Sequence, residues 1–195
     1  MGAIVAAVNR KGENAVPTVV AMLKNLMHRG TDAQGVATPN TTITSKSIEE
    51  IAIKSISSSV ALGHNLSRIL PRDRPQPVQG DGFTLVFEGR LFPFPNLPEV
   101  EEIAEKLGPN PQRNASHVIE KFEGSYAFAI AVFNKIIAGR DMFGTNPLYY
   151  GENETTCAVA SERKALWKLG IKNAKSFPPG HMAVINAQGF SFKLI

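Results

Sequence analysis

The stretch SYAFAIAVF, residues 125–133, is apolar at nearly every position from Tyr126 onward. A strand of that kind has no solvent face, so its sheet must be covered on both sides, by a second sheet on one and by helices on the other. Around it stand further short strands separated by turn residues at hairpin-like spacing: KIIAGRD, PLYYGEN, TTCAVASE and HMAVINAQGFSFKLI. Such spacing predicts mainly antiparallel sheets. Two packed sheets with flanking helices, an α+β architecture, follow.

Earlier in the chain, AIVAAV at residues 3–8 reads as a buried strand. Asn14 and Pro17 then open a helix in which Val16, Val19, Val20, Leu23, Leu26 and Met27 recur at helical spacing toward Gly30. GVATPNTTITS reads as two strands around a Pro-Asn turn, and SSVALGHNL as another strand. The proline-rich and glycine-rich stretch 70–82 reads as a loop, followed by the strand FTLVFEG. Helices are expected over 98–107, 114–122 and 161–169; in the first, Glu99, Glu101 and Glu102 suit the positive N-terminal end.

The chain has 195 residues and 43% hydrophobic content, which suits one domain over residues 1–195. No apolar run reaches the roughly 18 positions of a membrane span, and the N-terminus lacks a signal-peptide pattern, so a cytoplasmic protein is expected. The lone Cys157 forms no internal disulfide, and His28, His64, His117 and His181 lack metal-ligand spacing. Neither a metal nor a cofactor is expected. The net charge of +4 is mostly interspersed, except for Arg163, Lys164, Lys168, Lys172 and Lys175. These read as a solvated helix face, and nucleic acid is disfavoured as a partner because no stacking platform is evident.

Seven motifs carry a family resemblance along the chain: HRGTDAQG, LGHNLS, FEGRLF, EGSYAFAIAVF, GRDMFGTNPLYY, VASERKAL and PPGHMAVI. In this order they resemble the class II glutamine amidotransferases, the N-terminal-nucleophile glutaminase domains, and most closely that of asparagine synthetase. The resemblance implies a four-layer αββα sandwich. It also implies a chain-terminal cysteine that attacks the glutamine side-chain amide, with its own α-amine as base. Here residue 2 is Gly2, and with Met1 in place the amine of residue 2 is an amide.

The other positions that the resemblance implies have also changed. Asn65 stands nearest the arginine that would grip the glutamine carboxylate, and Arg68 is displaced. Glu88 stands where an asparagine would help form an oxyanion hole, and a carboxylate there would repel the developing charge. Ala115 stands near the place of an aspartate that would hold the substrate amine, and Gly89 alone is unchanged. Arg29, Gly30, Asp32, Gly35, Arg140, Asp141, Gly144, Pro147 and Gly180 read as structural.

A stand-alone glutaminase-like domain that no longer hydrolyses glutamine and serves as a binding or assembly partner is the reading these residues favour. Its degenerate pocket would comprise Gly2, Asn65, Glu88, Gly89 and Ala115, with no catalytic residue. His64, Arg68, Glu88 and Arg90 could form a remodelled site for a small polar ligand; the simpler reading is a salt bridge between Glu88 and Arg90, which share strand parity. The alternative is an amidotransferase subunit that supplies ammonia to a separate synthetase or other protein partner, or a hydrolase with a relocated nucleophile. Cys157, in a strand without a basic neighbour, reads as a buried structural thiol instead.

Overall fold

The computed structural model describes residues 2–195; the blocked amine expected from Met1 lies outside them. In chain order the strands are β1 (Ala3–Asn9), β2 (Ala33–Thr38), β3 (Thr41–Ser45), β4 (Val60–Leu66), β5 (Val78–Gly80), β6 (Phe83–Phe92) and β7 (Glu123–Val132). They continue with β8 (Lys135–Arg140), β9 (Tyr149–Glu152), β10 (Thr156–Ala160), β11 (Lys175–Ser176), β12 (His181–Asn186) and β13 (Gly189–Leu194). The α-helices are α1 (Val16–Asn25), α2 (Ile48–Ala52), α3 (Glu99–Leu107), α4 (Pro111–Ile119) and α5 (Arg163–Trp167).

One sheet runs β11-β9-β10-β1-β4-β2-β3 and the other β13-β12-β8-β7-β6-β5. Among the described residues their ladders are antiparallel throughout. Strand alternation sorts the side chains into three apolar layers. From β7, Ala127, Ala129 and Ala131 enter the layer between the sheets, where Ile4, Val86 and Phe177 meet them. Tyr126, Phe128 and Ile130 point the other way, toward Ile103 and Leu107 of α3 and Ala115 of α4. Across the first sheet, Ala3, Val5 and Ala7 pack under α1, α2 and α5. The result is the αββα sandwich expected from the sequence.

Local chemistry accounts for the helix ends. Asn14 Oδ1 accepts the Val16 N–H at 3.0 Å and Pro17 occupies the first turn of α1. α3 begins after Pro98 with three acids in its first turn and ends at Gly108. α4 starts three residues earlier than the sequence pattern suggested, because Pro111 fits its first turn and the helix ends at Ile119. α5 stops at Trp167, short of Leu169. Among the described residues no helix is long and apolar enough to cross a membrane.

Asp141 fixes the loop that joins β8 to β9. Its carboxylate accepts the N–H groups of Tyr126, Phe143 and Thr145 at 3.1 Å and of Asn146 at 3.3 Å. Burial raises its carboxyl pKa, but these donors outweigh that and hold it below the ordinary value. Arg140 is buried and donates to Ser176 Oγ at 3.3 Å, tying β8 of one sheet to β11 of the other. Asp141→Ala would strand several buried donors; a loss of about 3 kcal/mol in urea denaturation at neutral pH is expected.

Candidate functional site

Residue 2 immediately precedes β1, and β1 lies between β10 and β4 in the seven-stranded sheet. Its neighbour Ala3 pairs with Asn65 of β4. Side chains at even positions of β1 enter the layer between the sheets, so a side chain at residue 2 would point at β6 of the other sheet. Glu88 occupies that space. Its Oε1 accepts the Gly2 N–H at 2.8 Å, and its Oε2 lies 3.3 Å from His64 Nε2. Because a carboxylate only accepts, His64 Nε2 carries the proton in that contact.

Gly2 is a glycine for a steric reason visible here. A Cβ at this position would lie 2.4 Å from the Asn65 carbonyl oxygen, 2.6 Å from Glu88 Oε2 and 3.3 Å from His64 Nε2. The first of these is backbone and cannot swing aside. Gly89 is constrained differently: its φ is +143°, and a Cβ would lie 2.1 Å from the Ser125 carbonyl oxygen across the β6–β7 ladder. Its persistence therefore has a structural cause independent of any oxyanion.

Beyond Glu88 opens a narrow cleft of about 30 Å³, room for water-sized molecules and too small for an amino acid as it stands. Arg90 lies on its wall, as strand parity predicts. The expected salt bridge to Glu88 is replaced by two separate pairs. Arg90 Nη2 meets the Asp73 carboxylate at 2.9 Å, and Glu88 takes His64 instead. The geometry is decided by the loop 69–76, which reaches over the end of β6. There Asp73 Oδ2 also accepts the Ile69 and Leu70 N–H groups at 2.8 Å, and Arg72 Nε lies 3.6 Å from Glu99 Oε2.

Gln76 closes the same loop against the strand. Its side-chain amide donates to the Phe87 carbonyl at 2.9 Å and its carbonyl accepts the Phe87 N–H at 2.7 Å. Arg72, Asp73 and Gln76 are site residues that the sequence reading does not name, and Glu99 enters it only as an acid suited to a helix N-terminus. The signal was present as Arg72-Asp73-Arg74 inside an otherwise proline-rich run.

Three other expected positions fall outside the cleft. Asn65 is fully buried on the opposite face of β4, where its Nδ2 donates to the Leu23 carbonyl at 3.0 Å. Arg68 is exposed, and only its backbone N–H is engaged, by Asp32 Oδ2 at 2.7 Å. Ala115 sits in the apolar layer beneath α3 and α4. The structure thus assembles His64, Glu88, Gly89 and Arg90 and leaves Asn65, Arg68 and Ala115 apart.

Burial raises the Glu88 carboxyl pKa, but the hydrogen bond and charge of His64 with the Gly2 N–H outweigh it and leave it below 4.5. An ionised acceptor at this place offers no stabilisation to a developing oxyanion. Among the described residues, Ser67 is the one hydroxyl or thiol on the cleft wall, and no hydrogen bond joins it to His64 or Glu88. Cys157 is far away. It pairs with Val8 of β1, six residues along from Gly2, or about 20 Å. Burial pushes its thiol up to about 12, with the Glu152 carboxylate at 3.5 Å adding to the rise.

Two outcomes follow from these environments. Glu88→Gln should cost about 1–3 kcal/mol at neutral pH, since it weakens a paired, largely buried carboxylate. A lowered folded pKa places this stabilisation above the ordinary value of 4.5 and removes it as pH falls through the folded one. Denaturation curves of variant and parent should therefore converge as pH falls through the lowered folded value. Cys157 in the native chain should react with a disulfide reagent about a hundredfold more slowly than in urea, followed by absorbance.

Comparison with known proteins gives this geometry its family. Residues 1–177 match a family model described as a glutamine amidotransferase domain. A protein of Methanocaldococcus jannaschii named as a glutamine-hydrolysing asparagine synthetase is 32% identical over 164 residues, covering 78% of this chain and 30% of that protein. The amidophosphoribosyltransferase of the same organism is 24% identical over 139 residues, 70% of this chain and 28% of that one. The chain thus spans about a third or less of the curated relatives it matches. In fold it is similar to the glutamine phosphoribosylpyrophosphate amidotransferase of B. subtilis, with a TM-score of 0.82 at 20% identity over 98% of this chain and 49% of that one. A glutamine aminotransferase class-II domain protein from Silicibacter pomeroyi aligns over 98% of both chains with a TM-score of 0.65 at 14% identity. By the family match and this likeness together, the chain belongs to the glutamine amidotransferase domain family.

Proposed function

We propose that this asparagine synthetase-related domain, a single unit over residues 1–195, has given up glutamine hydrolysis and acts as a binding or assembly partner. One observation carries the reading: the Glu88 carboxylate fills the volume into which a nucleophilic side chain at residue 2 would project, and it holds the Gly2 N–H at 2.8 Å. The site has no attacking atom at residue 2, and an anion stands where an oxyanion would need donors. Cys157 gives no support to a relocated nucleophile, being buried and held as a thiol.

What remains is a polar cleft. His64 Nδ1 and Glu99 Oε1 are buried at its wall without a hydrogen-bond partner among the described residues. Such groups suit a small polar ligand or ordered water. A second reading, a subunit that delivers ammonia to a separate synthetase, draws support from the resemblance to part of a longer asparagine synthetase. A free thiol is stable in a reducing compartment, which agrees with a cytoplasmic setting.

Incubation of the purified chain with glutamine, followed by assay of ammonia and glutamate, should give no turnover above a heat-inactivated control. Gly2→Cys alone should stay equally inactive, because the Asn65 carbonyl and Glu88 block its side chain. Clear turnover by either protein would overturn the proposal.

A further inference from the structure

Residues 161–175 carry Arg163, Lys164, Lys168, Lys172 and Lys175 against Glu162 alone. That surplus of four equals the formal net charge of the entire chain, +4, so the remainder of the molecule is balanced. The fold keeps these charges together. α5, the turn at Gly170 and the edge strand β11 lie at one end of the seven-stranded sheet, beside β9. Arg163, Lys168, Lys172 and Lys175 are exposed and form no ion pair among the described residues.

Trp167, the only tryptophan, is 57% exposed and directly precedes Lys168 on this surface. α5 buries Ala165 and Leu166 against the sheet and turns the indole outward with Arg163, four residues before it. A hollow of about 460 Å³ lies beside it, walled by Trp167, Tyr149, Pro147, Arg29 and Lys164. The Arg163 guanidinium covers the Tyr149 ring at 4.8 Å from its centroid. The one acid in the hollow, Glu162, is already engaged by His28 at 2.8 Å, Arg29 at 3.2 Å and Lys164 at 3.8 Å. The surface therefore keeps a positive balance around an open aromatic face.

We propose that this surface binds single-stranded nucleic acid, with a base stacked on Trp167 and the phosphates running over Lys168, Lys172 and Lys175. An exposed π-face within a cluster of cations is what unpaired bases and their backbone require, whereas a duplex hides its base faces. Lysine-rich surfaces are depleted at protein interfaces, which sets a protein partner second. The sequence had offered the cations without a platform; the outward indole supplies it. This site adjoins β1 through Arg29, whose Nε donates to the Gly2 carbonyl at 2.8 Å, but the stacking on Trp167 and the phosphate contacts do not depend on how the Gly2 cleft is read.

The single tryptophan makes intrinsic fluorescence a reporter of this surface alone. Titration of the full chain with an oligouridylate of about twelve nucleotides should quench it saturably by about half. The logarithm of affinity should fall against the logarithm of salt with a slope of about −2 to −4, as expected for three to five neutralised phosphates. The exposed double change Lys168→Glu with Lys172→Glu should weaken binding about tenfold or more and flatten that slope. Trp167→Leu, read by anisotropy of a labelled oligonucleotide, should also lose about tenfold. Unchanged melting temperatures would show both variants folded. Absence of quenching, full-strength binding by Trp167→Leu, or equal affinity for base-free polyphosphate would overturn the proposal. So would quenching by uridine monophosphate as tight as by the strand, or by acidic lipid vesicles but not by the oligonucleotide.

Discussion

The alternation of β6 against β7 governs the molecule. Three successive inner-face side chains of β7 are alanine, Ala127, Ala129 and Ala131. Small residues there let the two sheets approach closely, so a side chain of ordinary length on β6 can touch the main chain of the opposite sheet. Glu88, on the inner face of β6, therefore meets the backbone N–H of Gly2 directly. The outer face of the same strand pair carries the bulky residues Phe87, Tyr126 and Phe128, which anchor α3 and α4. One two-residue rhythm thus sets the packing, the layer order and the contact between Glu88 and Gly2.

That rhythm was legible in the chain. The apolar run at 126–133 predicts covered faces on both sides, and the structure covers them with a sheet and two helices. Strand parity likewise places Glu88 and Arg90 together at the cleft. What parity cannot supply is the partner, because Asp73 and His64 arrive from elsewhere in the chain. Asn65 and Arg68 show the same limit from the other direction: they stand close to His64 in sequence, yet one points beneath α1 and the other into solvent. Ala115, placed by the family resemblance, lies on α4, whose start is three residues earlier than the pattern predicts, and its side chain enters the apolar layer. The short elements α2, β5 and β11 escaped notice because two to five residues carry too little periodicity to read.

The two faces of the domain differ in character. In the cleft Arg90 and Glu88 are each already engaged, Arg90 by the Asp73 carboxylate at 2.9 Å and Glu88 by the His64 ring at 3.3 Å. Such closure leaves little for a substrate to gain by displacing it. The edge at α5 is the reverse, with an exposed indole and four cations, Arg163, Lys168, Lys172 and Lys175, that form no ion pair among the described residues.

Gln76 has a wider consequence. β5 pairs with β6 only as far as Leu85, and continuing the same register would set residue 76 opposite Phe87. Pro77 has no N–H to give, so the Gln76 side chain performs the hydrogen bonding that a neighbouring strand would otherwise provide. An open strand edge invites a second molecule to add a strand there and begin self-association. With its amide folded back, Gln76 covers that stretch of edge against the addition of a further strand.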